Sequence, residues 1–450
     1  MLVATISGPD IEDQIRKASL YADILEFRWD LYPEINPSVV KSSNLPVIFT
    51  CRKNDIFSDE KRLDKLRELL SFKPDYVDLE EDLPKEIFEE FSKHTKVICS
   101  YHNFENTPED LNALIYKMQK KRADVYKIAT FATSSLDCIK MLQFVKEQKI
   151  PTSGMCMGPL GGITRILGPV FGNFFDYCCI ENPVVEGQLS LNSICDIYRY
   201  KSLNRQTKIY ALLGDPVDKS VGHKFHNSIF SLKEKNAVYI KILLKDFELE
   251  AFFKLIDSLN FCGFSVTMPL KEKIIPFVDK ISLEDQKIGS INTLIKKEGM
   301  WIGSNTDGKG ALKALQEHMD IENKKIVIFG AGGSSKALIQ AFLKKKAQVI
   351  IVNRTKAKAL ALAENWGCKS ISKENLSEII ECIDLIVNTT PDASMFLDDI
   401  RRAKKAVVMD IVSYPIMTCL IKNAKKNKLR CVFGYEMFIH QAYYQQKVFS

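Results

Sequence analysis

Two lysines, a histidine, an aspartate and three arginines stand where their neighbours make them chemically useful. Lys127 lies in the otherwise apolar run ADVYKIAT (123–130). A lysine there snorkels to a strand end, pairs with a carboxylate, or is used. Burial disfavours an ammonium and favours the neutral amine that attacks a carbonyl. His102, in ICSYHNF, ends the preceding apolar run. Adjacent strands would carry imidazole and amine to one mouth, where one group forms an imine and the other moves protons. A lone strand-end histidine is more often a hydrogen-bonded structural group. Arg28, Arg52 and Arg165 add positive charge in the same half, which suits an anionic polyol. In the second half, Lys271 follows Pro269 and Asp307 stands in NTDG. As a charge-coupled pair they can protonate an alkoxide while a hydride reaches a ketone. Read singly they are a surface lysine and a helix N-cap. Ser220, Thr267 and Asn292 offer hydroxyl and amide contacts suited to a polyol, or are simply turn formers.

The second half also holds KKIVIFGAGGSSKALIQAFLKKKAQVIIVNRT (324–355), which reads as strand, glycine turn, helix, strand. Gly330, Ala331, Gly332, Gly333 and Ser334 let the backbone approach a pyrophosphate at a helix N-terminus. The third glycine of the usual fingerprint is replaced by Ser335. The second strand of such a unit commonly ends in an acid that holds a ribose hydroxyl. Here it ends in Asn353, Arg354 and Thr355, a set suited to a 2′-phosphate. The expected cofactor is NADP.

These groups need elements to position them. Apolar runs at 2–6, 24–28, 47–51, 76–79, 97–100, 125–129, 153–157 and 177–180 alternate with helical patterns such as 61–71, 111–121 and 135–146. Eight βα units in about 200 residues fit a compact (β/α)8 TIM barrel, whose active site lies at the carboxyl ends of its strands. Glu26, Arg28, Arg52, Asp78, Glu80, His102 and Lys127 gather at those ends. The polar stretch 202–207 marks a boundary. A new strand at 209–213 opens a half that alternates βαβ to about 304. The dinucleotide unit follows, and a final helix, 437–448, has no strand after it, so it should pack back on 208–304. The fold class is α/β, with a barrel at 1–203, a substrate lobe at 207–305 plus 434–450, and a Rossmann-like lobe at 306–433.

Composition excludes several function classes. A 46% hydrophobic, 26% charged chain of 450 residues is an ordinary globular protein of two or three domains. The net charge of +7 comes from scattered lysines without a basic, aromatic-interleaved stripe, so no nucleic-acid partner is expected. Twelve cysteines form no CxxC pair, which argues for reduced core thiols, a cytoplasmic location and no metal site. No signal, transit or membrane-spanning segment is read, so no membrane partner is expected.

EFRWD (26–30), FTCR (49–52), SYHN (100–103), YKIA (126–129), GITR (162–165) and EGQLS (186–190) occur in the order found in type I 3-dehydroquinate dehydratases, which residues 1–200 resemble. The resemblance implies Lys127 as the imine-forming lysine and His102 as general acid/base. Glu26, Arg28, Arg52, Arg165 and Gln188 would bind substrate. Val184 stands where that family usually has a serine, and Ile56 where it has a glutamate, leaving Asp55, Asp59 or Asp78 to support His102.

From about 208, GDPVDKSVGHKFHN (214–227), GFSVTMPLK (263–271), GSINTL (289–294), SNTDGKG (304–310), NTTP (388–391) and MDIV (409–412) resemble shikimate dehydrogenases. The final GYEMFIHQA (434–442) looks most like the second domain of plant bifunctional dehydratase–dehydrogenases. The resemblance implies Lys271 and Asp307 as catalytic, Ser220, Thr267, Asn292 and Gln441 on shikimate, and Gly434 at the cofactor. Gly222, Ser265 and Ser413 depart from the usual serine, asparagine and tyrosine, which bears on shikimate against quinate. The expected protein dehydrates 3-dehydroquinate and reduces the resulting 3-dehydroshikimate with NADPH, its partners being these small molecules. The rivals are a quinate dehydrogenase joined to the same dehydratase, and a non-catalytic NADP-binding scaffold.

Overall fold

The apolar runs of the first 200 residues become eight strands in the computed structural model, which describes residues 1–449, with side chains at all but 41 and 42. They are β1 (Leu2–Ile6), β2 (Ile24–Arg28), β3 (Val47–Thr50), β4 (Tyr76–Glu80), β5 (Lys96–Asn103), β6 (Val125–Phe131), β7 (Thr152–Met157) and β8 (Asp176–Cys179). The hydrogen-bonded order is β7-β6-β5-β4-β3-β2-β1-β8, parallel throughout: a nearly closed barrel whose seam lies between β7 and β8. Val3, Ile24, Ile48, Tyr76, Ile98, Val125, Met155 and Phe175 fill its interior. Branched and aromatic residues on short strands make that packing the main stabilising term. Three of the α-helices between strands start at side-chain caps. Asp110 accepts from the Ala113 amide at 2.8 Å, and Ser134 and Asp137 form a capping box.

β5 and β6 run three and two residues beyond the apolar runs that predicted them. Their ladder continues through Ser100↔Lys127 and His102↔Ala129, so backbone pairing carries the polar strand ends into the barrel mouth.

A six-stranded mixed sheet follows: β9 (Lys208–Gly214), β10 (Ala237–Leu243), β11 (Phe261–Val266), β12 (Lys280–Ile281), β13 (Thr293–Lys297) and β14 (Met300–Ser304), in the order β10-β9-β11-β13-β14-β12. Here the expected βαβ alternation gives way to an antiparallel hairpin of β13 and β14. Its turn residues Glu298 and Gly299 have φ of 51° and 78°. Two consecutive left-handed residues form the turn whose twist suits a hairpin. The sequence signal is the Glu-Gly pair between two short apolar runs.

The third sheet contains β15 (Lys325–Phe329), β16 (Gln348–Val352), β17 (Lys369–Ser370), β18 (Leu385–Asn388), β19 (Val407–Asp410) and β20 (Arg430–Val432), ordered β17-β16-β15-β18-β19-β20. Its paired strands are parallel, and one apolar cluster covers each face. Strand order reverses at β15, so a crevice opens between the ends of β15 and β18, where open α/β sheets bind ligands. The last helix spans Gly434–Phe449 and packs on β11 and β13. Gln445 accepts from Ser265 Oγ at 2.9 Å and donates to the Asn292 carbonyl at 3.0 Å.

By its contacts the chain divides into two compact units. One is Met1–Ile209 with Phe230–Ile242 and Ala251–Asn260. The other is Tyr210–Ile229 with Leu243–Glu250 and the chain from Phe261 on. Among the described residues no helix is long and apolar enough to cross a membrane.

Candidate active sites

The barrel mouth holds a cavity lined by Glu26, Arg28, Arg52, His102, Lys127, Arg165, Tyr177, Val184 and Gln188, among others. Lys127 projects from the middle of β6 and is 4% exposed. Its Nζ lies 3.0 Å from Asp78 Oδ2, 3.7 Å from Glu26 Oε1 and 3.9 Å from the centre of the Tyr177 ring. Glu26 is held by the hydroxyls of Thr5 and Thr50, each at 3.0 Å. Asp78 accepts from Ser100 Oγ at 2.5 Å and from Arg52 at 3.1 Å. Burial works to raise the Asp78 carboxyl, but Lys127 and Arg52 outweigh it and hold it well below the usual range.

His102 meets Arg52, whose Nη1 is 3.0 Å from Nδ1. Burial, then the charges of Arg52 and Lys127, keep the imidazole pKa well below its ordinary value, so the ring is neutral. Neither Asp55 nor Asp59 supports it. Asp55 is exposed, while Asp59 pairs with Lys53 at 2.6 Å and Arg62 at 2.7 Å. Asp78 is committed to Lys127, Arg52 and Ser100. The carboxylate nearest His102 is Glu80, with Oε1 4.0 Å from Nδ1, itself held by Arg52 and Arg62. Ser100 and Glu80 are paired in the β4–β5 ladder, which brings Glu80 under the histidine two residues on.

The three arginines differ in how they are spent. Arg28 forms a two-pronged ion pair with Asp30 at 3.0 and 2.7 Å. Arg52 joins Asp78 and Glu80. Arg165, 1% exposed on the helix Gly162–Phe171, donates only to the carbonyls of Cys156 and Gly161, and its buried Nε has no partner. Burial pulls its pKa down, and among the described residues no carboxylate pairs with it. Such a group fits an incoming anion. Gln188 is fixed from both sides, donating to Thr5 Oγ1 at 3.3 Å and accepting from the Val184 amide at 2.9 Å. Sequence reasoning missed Thr5 and Tyr177 as parts of this site. Neither lies in a strand-end polar cluster.

The second unit gathers Lys271, Asn292, Asp307, Ser334 and Gln441. Lys271 Nζ donates to Asp307 Oδ2 at 2.5 Å. Asn292 donates to the other carboxylate oxygen at 2.6 Å and to Thr306 Oγ1 at 2.9 Å. Gln441 Oε1 lies 3.4 Å from Thr306 Oγ1 and 3.5 Å from Asn292 Nδ2. Ser220 and Thr267 share no hydrogen bond with this cluster among the described residues; Ser220 Oγ accepts from the Gly222 amide at 3.1 Å. Ser265 is no ligand but a strut, buried against Gln445. Ser413 reaches the Gly434 carbonyl at 3.4 Å. A Cβ on Gly434 would stand 2.2 Å from the Val412 carbonyl oxygen, so this glycine is needed for close backbone packing.

The glycine turn is a backbone cradle at the crevice between β15 and β18. Gly330 has φ of +114°, which only glycine adopts readily, while the space beside Gly332 is open. Ser335, at the place of the third glycine, is fixed by bonding: its hydroxyl meets Thr389 Oγ1 at 2.6 Å and accepts from the Gly332 amide at 3.2 Å. Asn353 donates to the Thr355 carbonyl at 3.0 Å. Arg354 is exposed, and no carboxylate among the described residues pairs with it. An open glycine cradle at the start of a helix and a free guanidinium at the end of the next strand together fit a dinucleotide bearing an extra phosphate.

Family models match in the same order: type I 3-dehydroquinase over residues 3–205, the shikimate dehydrogenase substrate binding domain over 212–294, and shikimate/quinate 5-dehydrogenase over 312–413. The shikimate biosynthesis protein AroDE of Chlamydia pneumoniae is 35% identical, covering 99% of this chain and 94% of that protein. The chloroplastic bifunctional 3-dehydroquinate dehydratase/shikimate dehydrogenase of Arabidopsis thaliana is 31% identical over 100% of this chain and 82% of that one. The shikimate 5-dehydrogenase of Thermus thermophilus, solved with NADP(H) and shikimate, is 27% identical with a TM-score of 0.50, covering 54% of this chain and 94% of that one. The chain belongs to the bifunctional family that joins a type I 3-dehydroquinase to a shikimate dehydrogenase in one polypeptide.

Proposed function

We propose that this chain performs two consecutive steps, dehydrating 3-dehydroquinate in the barrel and reducing the resulting 3-dehydroshikimate to shikimate with NADPH. The carrying observation is Lys127, buried between two carboxylates in a cavity that also holds a neutral histidine and an unpaired arginine. Arg165 takes the substrate carboxylate, and Arg28, Arg52, Glu26 and Gln188 surround the ring. The Lys127 amine attacks the ketone and loses water to form an imine, which stabilises negative charge at the neighbouring carbon. His102 removes the proton there and then protonates the departing hydroxyl. Arg52 occupies Nδ1 before substrate arrives. When substrate draws Arg52 away, Nδ1 carries the ring proton, Glu80 is the carboxylate placed to hold that N–H, and Nε2 is the free base.

In the dehydrogenase, residues 207–305 with 434–450 bind shikimate, and residues 306–433 bind NADP. Gly330–Gly333 and the helix start hold the pyrophosphate, with Asn353, Arg354 and Thr355 at the 2′-phosphate and Gly434 beside the cofactor. The bound cofactor supplies the hydride. Lys271 gives the alkoxide its proton, Asp307 holds the ammonium in place, and Asn292 fixes Asp307. Ser220, Thr267 and Gln441 contact the hydroxyls and carboxylate. Twelve free cysteines support a reducing, cytoplasmic setting.

The test is a coupled assay on the full chain. 3-Dehydroquinate with NADPH should consume cofactor absorbance, and shikimate should be oxidised with NADP+ faster than quinate. A chain that reduced added 3-dehydroshikimate yet left 3-dehydroquinate untouched would remove the barrel from the scheme.

A further inference from the structure

Ser334 sits in the glycine turn, where a dinucleotide role is the obvious reading, yet its side chain is engaged elsewhere. Its Oγ accepts from Lys271 Nζ at 2.9 Å and donates to Asp307 Oδ2 at 3.2 Å. Lys271 Nζ also donates to that same carboxylate oxygen at 2.5 Å. The three atoms close a triangle that occupies two of the three ammonium N–H bonds and leaves the third for a substrate oxygen.

Lys271 needs such a fixture. Its side chain is flexible, and it stands on a helix of only four residues, Leu270–Lys273. Ser334 comes from the far longer helix Gly333–Leu343, which is held against both Lys271's helix and the helix Leu283–Ile288. Lys336 pairs with Glu272 at 2.7 Å, and Gln340 donates to the Glu284 carbonyl at 2.7 Å. At Gly333 the approach is closest. A Cβ there would stand 2.5 Å from Ser290 Oγ and 3.2 Å from Lys271 Cβ. Glycine at 333 is what lets the next residue reach the lysine.

We propose that Ser334 is a positioning residue for proton transfer, fixing the Lys271 ammonium against Asp307 so that its remaining N–H faces the substrate. This rests on the reading of Lys271 as proton donor. The helix that begins at the cofactor cradle thereby carries the hydroxyl that orders the acid, so the donor is assembled only where that helix is docked.

The experiment compares full-length Ser334→Ala, Ser334→Thr and Lys271→Met in 3-dehydroshikimate reduction, with NADPH binding followed by its fluorescence. Ser334→Ala should lower kcat about tenfold, the scale of one hydrogen bond to a charged group, while KM for NADPH and NADPH binding stay within about twofold. Ser334→Thr, which keeps the hydroxyl, should recover most of kcat. A loss confined to NADPH affinity would make Ser334 a cofactor ligand and overturn the proposal, as would an unchanged kcat in Ser334→Ala. If Lys271→Met also reduced substrate normally, the fault would lie with the reading of Lys271; a dead Lys271→Met beside a fully active Ser334→Ala would fault Ser334 alone.

Discussion

On the proposed reading each catalytic unit has one working lysine, and the two lysines stand in contrasting surroundings. Lys127 comes from the middle of a central strand, with side-chain exposure of 5%, two carboxylates within 3.7 Å and an aromatic ring beneath it. Lys271 comes from a one-turn helix, is 16% exposed, and shares one carboxylate with one hydroxyl. A nucleophile must shed its proton at the moment of attack, so it gains from a water-poor cavity, where burial disfavours the ammonium. A proton donor must keep its charge until the hydride arrives, so it gains from a single firm counter-ion and an open third N–H. On that reading the same side chain serves as nucleophile or acid through the element that carries it and the groups that crowd it.

The sharpest test of that contrast is covalent capture. Borohydride added with 3-dehydroquinate should fix ligand mass on the peptide containing Lys127 and leave Lys271 unlabelled. Lys127→Met should abolish labelling and lower dehydration by about 10⁴ or more, on the scale of removing a covalent nucleophile, while 3-dehydroshikimate reduction continues. His102→Ala separates the two roles within the barrel. Labelling persists, and dehydration falls about 10²–10⁴ for loss of a general acid/base. Mass found on Lys271, or an active, unlabelled enzyme after borohydride and substrate, would erase the distinction between the lysines.

How much of this contrast is legible in the sequence follows from which contacts are local. Strand existence is legible because each barrel strand is an apolar run between turn residues, and Lys127 stands out as the cation inside one. The groups that define its environment do not. Asp78 and Glu26 lie 49 and 101 positions away, on β4 and β2, and meet Lys127 only because side chains cross the barrel interior. Glu80 is visible as a strand-end acid, but its place near His102 depends on the β4–β5 register. Residue type alone pairs Asp307 with Lys271, as the structure does. The motif around Ser334 points to the cofactor, because nothing in a glycine turn reveals which way the next hydroxyl faces. The hairpin of β13 and β14 escapes a reading that extends the βαβ alternation past the turn pair that ends it.

A second contrast concerns guanidinium groups left without a carboxylate. Arg165 is buried and Arg354 is exposed at the end of β16. The first can grip an anion in a dry cavity, whereas the second must choose between phosphate and bare hydroxyl in contact with water. Arg354→Asp should therefore raise KM for NADPH by about ten- to a hundredfold, as expected for losing charge-assisted bonds, and improve relative use of NADH. Dehydration in the same variant should hold its rate. Cofactor kinetics that ignore the substitution would leave Arg354 a plain surface charge.

The mildest effect compares two histidines, one partly buried and one fully buried. His102 is depressed by burial together with Arg52 and Lys127, in a cavity built for an anion. His226 is buried behind Gln446, whose Nε2 lies 2.9 Å from Nδ1. Burial outweighs a hydrogen bond donated to Gln445 and brings its pKa down to about 3. The folded chain thus keeps His226 neutral, whereas the unfolded chain protonates it near the ordinary value of about 6.5. Above that value both states are neutral and the contribution to stability is complete. As pH falls from about 6.5 toward 3, only the unfolded state binds the proton, so stability drops by about 1.4 kcal/mol per pH unit. Between pH 6.5 and 5 the loss from His226 alone is about 2 kcal/mol. Urea unfolding of His226→Gln should start from a lower stability, since packing is lost, yet fall less steeply with acid by that amount. An anion bound at Arg52 offsets part of the charge that depresses His102 and should not change the slope owed to His226. Equal acid slopes in the parent and His226→Gln would show that His226 does not resist protonation, and only the active-site histidine would then be set by its surroundings.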